Sequence, residues 1–330
     1  MLGAESSVSA GSRIAGVDLL RIVAACSIVA FHVIPWKGPV FDVLLTWAVP
    51  FFFTVSGYFD ARRILTEKVD FLWLRSRLLR LGVPYVFWTT LRLVDLRPIN
   101  PGTLLFQFVL CAPTNTLWFL WTLMLVTILV TCMLRWIPLR YVAVIALVFG
   151  LLYSAVCQWW GTFGTVGSWL HTNPGYALQM PFLWIVAYVA GVVIHRKLPV
   201  IRLRRDLLLV AGLAILGVLC AAGIDPGGLA YNYSWGLAGI GHVCLGVMAF
   251  LAARMILMKS TALLRALAAS ALGVYLIHPV MIRLFKLPPL LTVFGKVVST
   301  PVLFWVLVFV LSLLMTLVLR RIPLLKKVVA

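Results

Sequence analysis

Asp18, Arg21 and His32 fall within residues 14–34, a stretch otherwise built from apolar and small side chains. On a helix, Arg21 follows Asp18 by three positions, so the two are neighbours on one face and can pair. His32 follows Arg21 by eleven, three helical turns almost to the degree, so both share that face about 16 Å apart along the axis. A neutral imidazole can serve as a general base near neutral pH, and a guanidinium can steady an anionic group. Two readings stand. Each residue singly can snorkel to an interface, or the whole stripe can line a polar cavity inside a bundle.

Further candidates lie along the chain. Residues Phe51–Phe59 read FFFTVSGYF, where Ser56 and Gly57 are small enough for close helix approach and Tyr58 follows. Arg62 and Arg63 precede LRSRLLRLGVP, whose Arg75, Arg77 and Arg80 suit either a cytoplasmic face or the phosphates of a polyanionic ligand. Asn115 and Trp118 open a later apolar run; Trp at that place is ordinary interface chemistry. Ser270 precedes LGVYLIHP, which ends in His278-Pro279. A histidine deep in an apolar span is either a hydrogen bond between helices or a second polar wall of a cavity. His242, in another apolar run, has the same two readings. His171 falls in a loop, and His195 at a helix end suits the helix dipole. No HExxH, GxSxG or Walker pattern occurs, and the nine Asp and Glu form no cluster, so neither a metal site nor a paired-carboxylate mechanism is expected. The six cysteines are scattered, with no CxxC.

The elements that must position these residues follow from composition. Hydrophobic residues make up 63% of the 330, charged ones 11%, and the mean hydropathy is +1.08. These values lie far outside the range of soluble domains. The net charge of +19 is spread between apolar runs of about twenty residues, which argues against nucleic acid and for membrane loops. The expected fold is an all-α polytopic membrane protein enclosing a polar cavity. Its ten spans are placed at 14–34, 40–60, 78–96, 117–135, 141–160, 177–195, 206–224, 235–257, 266–285 and 300–319. Residues 103–111 are too short to cross and read as an interfacial or re-entrant piece. Lys and Arg concentrate in alternate loops, so both termini are expected inside. A cytoplasmic segment 1–13, one domain over 14–320 and a cytoplasmic tail 321–330 complete the organisation. No signal-peptide cleavage site is evident.

These residues together resemble the acyltransferase-3 family of bacterial membrane O-acyltransferases. The likeness rests on Asp18-x-x-Arg21 with His32, on Pro50-Phe51-Phe52-Phe53 leading to Ser56-Gly57-Tyr58, and on the run Arg77 to Pro84. It continues through Leu117-Trp118-Phe119-Leu120 and Tyr275-Leu276-Ile277-His278-Pro279. The resemblance implies a stand-alone enzyme of the bacterial inner membrane that moves an acyl group, commonly acetyl, from acyl-CoA to a sugar hydroxyl of a surface polysaccharide or lipid-linked glycan. It implies no permanently bound cofactor, acetyl-CoA or another acyl-CoA as donor, and a separate periplasmic protein wherever a further acyl-handling partner is needed. His32 becomes general base or transient acyl carrier, with Arg21 and Asp18 on its helix. Arg75, Arg77 and Arg80, with Ser56 and Tyr58, are assigned to the donor. Trp118, Asn115, His278, Ser270 and His242 are assigned to the acceptor or cavity wall. The rival reading is a transporter or flippase of a glycan or lipid intermediate, which predicts inverted repeats that the sequence does not display.

Overall fold

A backbone surrounded by lipid must satisfy its own hydrogen bonds, and a helix does so within one segment. The computed structural model describes residues 14–35, 45–66, 71–94, 117–158, 180–222 and 237–329, and over these it is helical with no strand. In chain order the helices are α1 (Ala15–Val33), α2 (Ala48–Thr66), α3 (Phe71–Val94), α4 (Trp118–Trp136), α5 (Leu139–Gln158) and α6 (Pro181–Lys197). Then follow α7 (Leu203–Ala222), α8 (Leu237–Met255), α9 (Ala262–Phe285), α10 (Pro288–Val298), α11 (Pro301–Leu319) and the short α12 (Pro323–Lys326).

Five of them, α1, α4, α5, α9 and α11, are long and apolar enough to cross a membrane. Four of the other long helices are shorter or more charged. Helix α6 has 17 residues. Helix α2 carries Asp60, Arg62 and Arg63, α3 carries Arg75, Arg77 and Arg80, and α7 carries Arg204, Arg205 and Asp206.

Two boundaries differ from the sequence reading in a way that matters for chemistry. Helix α2 runs on past residue 60 to Thr66, and α3 begins at Phe71 rather than 78. Both extensions hold arginines, Arg62 and Arg63 in α2 and Arg75 and Arg77 in α3. Arg, Leu and Ala are strong helix formers, and a long basic side chain at a helix end can reach back to the interface. Helix α10, eleven residues with none buried, was not anticipated; it lies between α9 and α11 behind Pro288. The interfacial piece expected at 103–111 lies outside the described residues.

Helix α1 is central, packing against α2, α8, α9 and α11. The closest pairings use small residues. A Cβ added to Gly57 would collide with the Tyr188 carbonyl, and one added to Gly191 would collide with the Thr54 carbonyl, so α2 and α6 touch backbone to backbone at reciprocal glycines. Gly16 meets the Ala253 carbonyl of α8 in the same manner, and Gly273 of α9 meets the Thr316 side chain of α11. Because backbone cannot yield as a flexible side chain can, Gly191→Leu is expected to cost at least about 3 kcal/mol. Loss of monodisperse folded protein in detergent is the readout, and Gly212→Leu, where a Cβ meets nothing, is the control.

One end of the bundle gathers the start of α1 and the ends of α6, α8 and α11. Gly16 lies beside Ala253 and Ile256, Arg254 Nη2 donates to the Leu198 carbonyl at 2.6 Å, and Arg320 Nη1 donates to the Ala266 carbonyl at 3.1 Å. This is the basic end. The last residues return to the protein: Val328 and Val329 are buried, and Trp88 Nε1 donates to the Val328 carbonyl at 2.8 Å.

Candidate active site

The unbroken α1 keeps Asp18, Arg21 and His32 on one helix, as their spacing requires. Asp18 is buried at 6% exposure, and its Oδ1 lies 3.8 Å from Arg21 Nη1, an i,i+3 pair near the basic end. His32 is in the last turn, towards the opposite end, and is exposed.

There His32 meets His278. The two imidazoles stack with centroids 5.1 Å apart and planes 29° from parallel. His278 is fully buried, so it backs His32 from within the protein while His32 stays open to a reagent. His278 Nδ1–H donates to the Val274 carbonyl one turn earlier on α9 at 3.3 Å. A carbonyl can only accept, so that bond requires a proton on Nδ1.

The pair terminates an aromatic array assembled from α9, α4, α2 and α6. His278 lies 5.9 Å from the Tyr275 ring, and Tyr275 lies 5.6 Å from Phe119. Phe119 packs on Phe53 at 5.1 Å, Phe53 stacks on Trp184 at 5.5 Å, and Trp184 meets Trp118 at 5.6 Å. Trp118 also meets Phe119 edge-to-face at 6.5 Å, so it touches the array at two rings and the histidine pair at neither. Edge-to-face and offset aromatic packing of this kind holds ring orientations well, which is what a reacting imidazole requires.

The remaining assigned residues scatter. Ser270 lies two turns below His278 and accepts from Arg320 Nη1 at 3.1 Å, towards the basic end. His242 is half-buried in α8, and Ser56 is half-buried in α2 beside Gly57. Arg75 and Arg80 are exposed on α3. Arg77 is engaged within the protein: its Nε donates to Asp60 Oδ2 at 3.1 Å, and the same oxygen accepts from the Tyr188 hydroxyl at 3.0 Å. Asn115 lies outside the described residues.

Two groups near the basic end escaped the sequence reading. One is that Asp60–Arg77–Tyr188 network. The other surrounds Tyr58, whose ring lies 5.1 Å from His195 and 5.0 Å from Phe250, with the Arg254 guanidinium 5.5 Å from its centre. Arg254 is only 4% exposed although it is a cation. The available signal was a lone acid, Asp60, inside an apolar run that was truncated at its position, and a lone arginine, Arg254, at the end of another.

The Acyltransferase domain family model matches residues 14–321, nearly the whole chain. An amino-acid racemase of Enterococcus faecalis is 29% identical over 170 residues, covering 45% of this chain and 24% of that protein. The chain thus spans about a quarter of the relative's length. No solved structure matches significantly. A helical protein with five helices long and apolar enough to cross a membrane, matched almost end to end by this model, belongs to the acyltransferase-3 family of membrane acyltransferases.

Proposed function

We propose that the protein transfers an acyl group, acetyl first among candidates, from acyl-CoA to a hydroxyl of a sugar in a surface polysaccharide or lipid-linked glycan. The observation that carries this reading is the stacked pair of an open His32 and a buried His278 bonded to the Val274 carbonyl. Moving an acyl group from a thioester to an alcohol requires a base for the hydroxyl proton. His32 takes that proton as the alcohol oxygen attacks the thioester carbon; the carbon–sulfur bond then breaks and the thiolate leaves with a proton. In the covalent version, the His32 nitrogen attacks the thioester carbon, the carbon–sulfur bond breaks to release CoA, and the alcohol oxygen then takes the acyl group as the freed imidazole takes its proton. Arg21, some 16 Å away along α1, acts on the donor rather than at the carbonyl.

The ten long helices are read as ten spans of the bacterial inner membrane with both termini in the cytoplasm. Support comes from the basic residues bordering the junctions at the basic end: Arg135 and Arg140, Arg196 to Arg205, Arg254 to Arg265, and Arg320 to Lys327. Donor from the cytoplasm then enters near Arg21 and Tyr58, and the acceptor approaches His32 from the other side.

Purified protein with radiolabelled acetyl-CoA tests the reading. The expected result is CoA release that depends on an added glycan acceptor and moves label into it. Release that ignores every glycan hydroxyl, or movement of unmodified glycan across proteoliposomes without acylation, would favour the transporter reading instead.

A further inference from the structure

A cleft of about 450 Å³ opens at the basic end between the tail of α2, the start of α5 and the end of α6. Its walls divide by chemistry. Leu65, Ala143 and Val193 are half-buried and form an apolar floor, while Arg140, Arg196 and Lys197 are exposed and form a cationic rim. Among the described residues, none lining it is acidic, and none of the three cations forms a salt bridge with a described acid.

A second basic hollow, of about 500 Å³, shows why that matters. It is lined by Arg202, Arg204 and Arg205, but Arg205 Nη2 is bonded to Asp206 Oδ1 at 2.7 Å and to the Val200 carbonyl at 2.8 Å. Part of its charge is already answered within the protein. In the α2–α5–α6 cleft Arg140 lies over the Tyr141 ring at 4.6 Å, a contact that leaves its charge unneutralised.

We infer that this cleft binds an anionic phospholipid, with the phosphodiester on the Arg140–Arg196–Lys197 rim and an acyl chain along α5. The chain has a continuous path, because Val144, Leu147, Val148 and Leu151 continue from Arg140 along α5 and are all exposed. A soluble phosphate would use the rim and leave the floor and this face uncovered, whereas a phospholipid uses all three. Guanidinium groups match phosphate oxygens bidentately, and basic hollows between membrane helices suit anionic headgroups. The inference concerns binding alone and holds whether or not the acyl-transfer reading does.

The test is competitive lipid retention on the full-length protein in detergent, followed by native mass spectrometry, with no acyl donor present. Wild type is expected to keep phosphatidylglycerol in preference to phosphatidylcholine. The triple variant Arg140→Gln, Arg196→Gln, Lys197→Gln should lose roughly tenfold or more of that preference, whereas Arg202→Gln with Arg204→Gln should keep it. Arg140→Lys with Arg196→Lys retains charge and should retain most of the preference, which separates loss of the site from loss of folding. Unchanged preference in the triple variant, or displacement of the lipid by millimolar inorganic phosphate as readily as by phosphatidylglycerol, would overturn the inference.

Discussion

His32→Ala is expected to lower acyl transfer by about 100- to 10,000-fold, the usual worth of a positioned general base, with the loss in kcat rather than in the KM for acyl-CoA. His278→Ala should cost less, roughly 10- to 100-fold, the scale of a group that orients a functional imidazole without meeting substrate. The asymmetry follows from access. His32 is exposed and His278 is fully buried behind it, so only His32 can reach the acceptor hydroxyl. His278→Asn separates two contributions: its amide can still donate to the Val274 carbonyl, but it lacks the ring that stacks on His32. If stacking matters, Asn fares no better than Ala. If the two histidines act as one unit, the double variant should be scarcely worse than His32→Ala, because coupled groups are far from additive. Additive losses would mean that His278 acts elsewhere. Thermal unfolding of each variant in detergent supplies the control, since a cavity left at His278 also destabilises.

How much of this was legible in the sequence depended on whether the relationship was local. The placement of Asp18, Arg21 and His32 on one helix is a matter of spacing alone, and the long unbroken α1 bears it out. Long apolar runs likewise located each of the long helices to within a few residues at most boundaries. The stacking of His32 on His278 was beyond spacing, because α1 and α9 come from opposite ends of the chain; the sequence offers His278 only as a hydrogen bond between helices or a second wall of the cavity. Asp60 failed for a different physical reason. Charges at residues 60, 62 and 63 end the second span at Asp60 when each is judged by its cost in lipid. Asp60 is instead tolerated inside α2 because α3 brings Arg77 to it and α6 brings Tyr188. Arg77 was assigned to a phosphate by counting cations, and a count cannot tell that one of them already has a carboxylate.

That network carries a large expected effect on stability. Asp60 is 8% exposed and Tyr188 fully buried, and one carboxylate oxygen serves both partners. Asp60→Ala leaves the half-buried Arg77 guanidinium without its carboxylate and takes an acceptor from Tyr188, and is expected to cost about 3 kcal/mol. Asp60→Asn keeps an acceptor and should cost less, and Tyr188→Phe, which removes one neutral donor, about 1 kcal/mol. Thermal melting of purified protein should rank them in that order. The same residues decide what Arg77 is for. Arg77→Gln alone leaves the Asp60 charge without its guanidinium, so it should be nearly as damaging as Asp60→Ala. Combining it with Asp60→Asn removes both charges and leaves two amides in bonding range, which should restore most of the stability. If Arg77 also binds the donor phosphates, the restored protein will still need a markedly higher acyl-CoA concentration to reach half-maximal rate. If its KM returns to that of wild type together with the melting temperature, Arg77 belongs to the frame, and donor recognition rests on the exposed Arg75 and Arg80 and on the cationic surroundings of Tyr58.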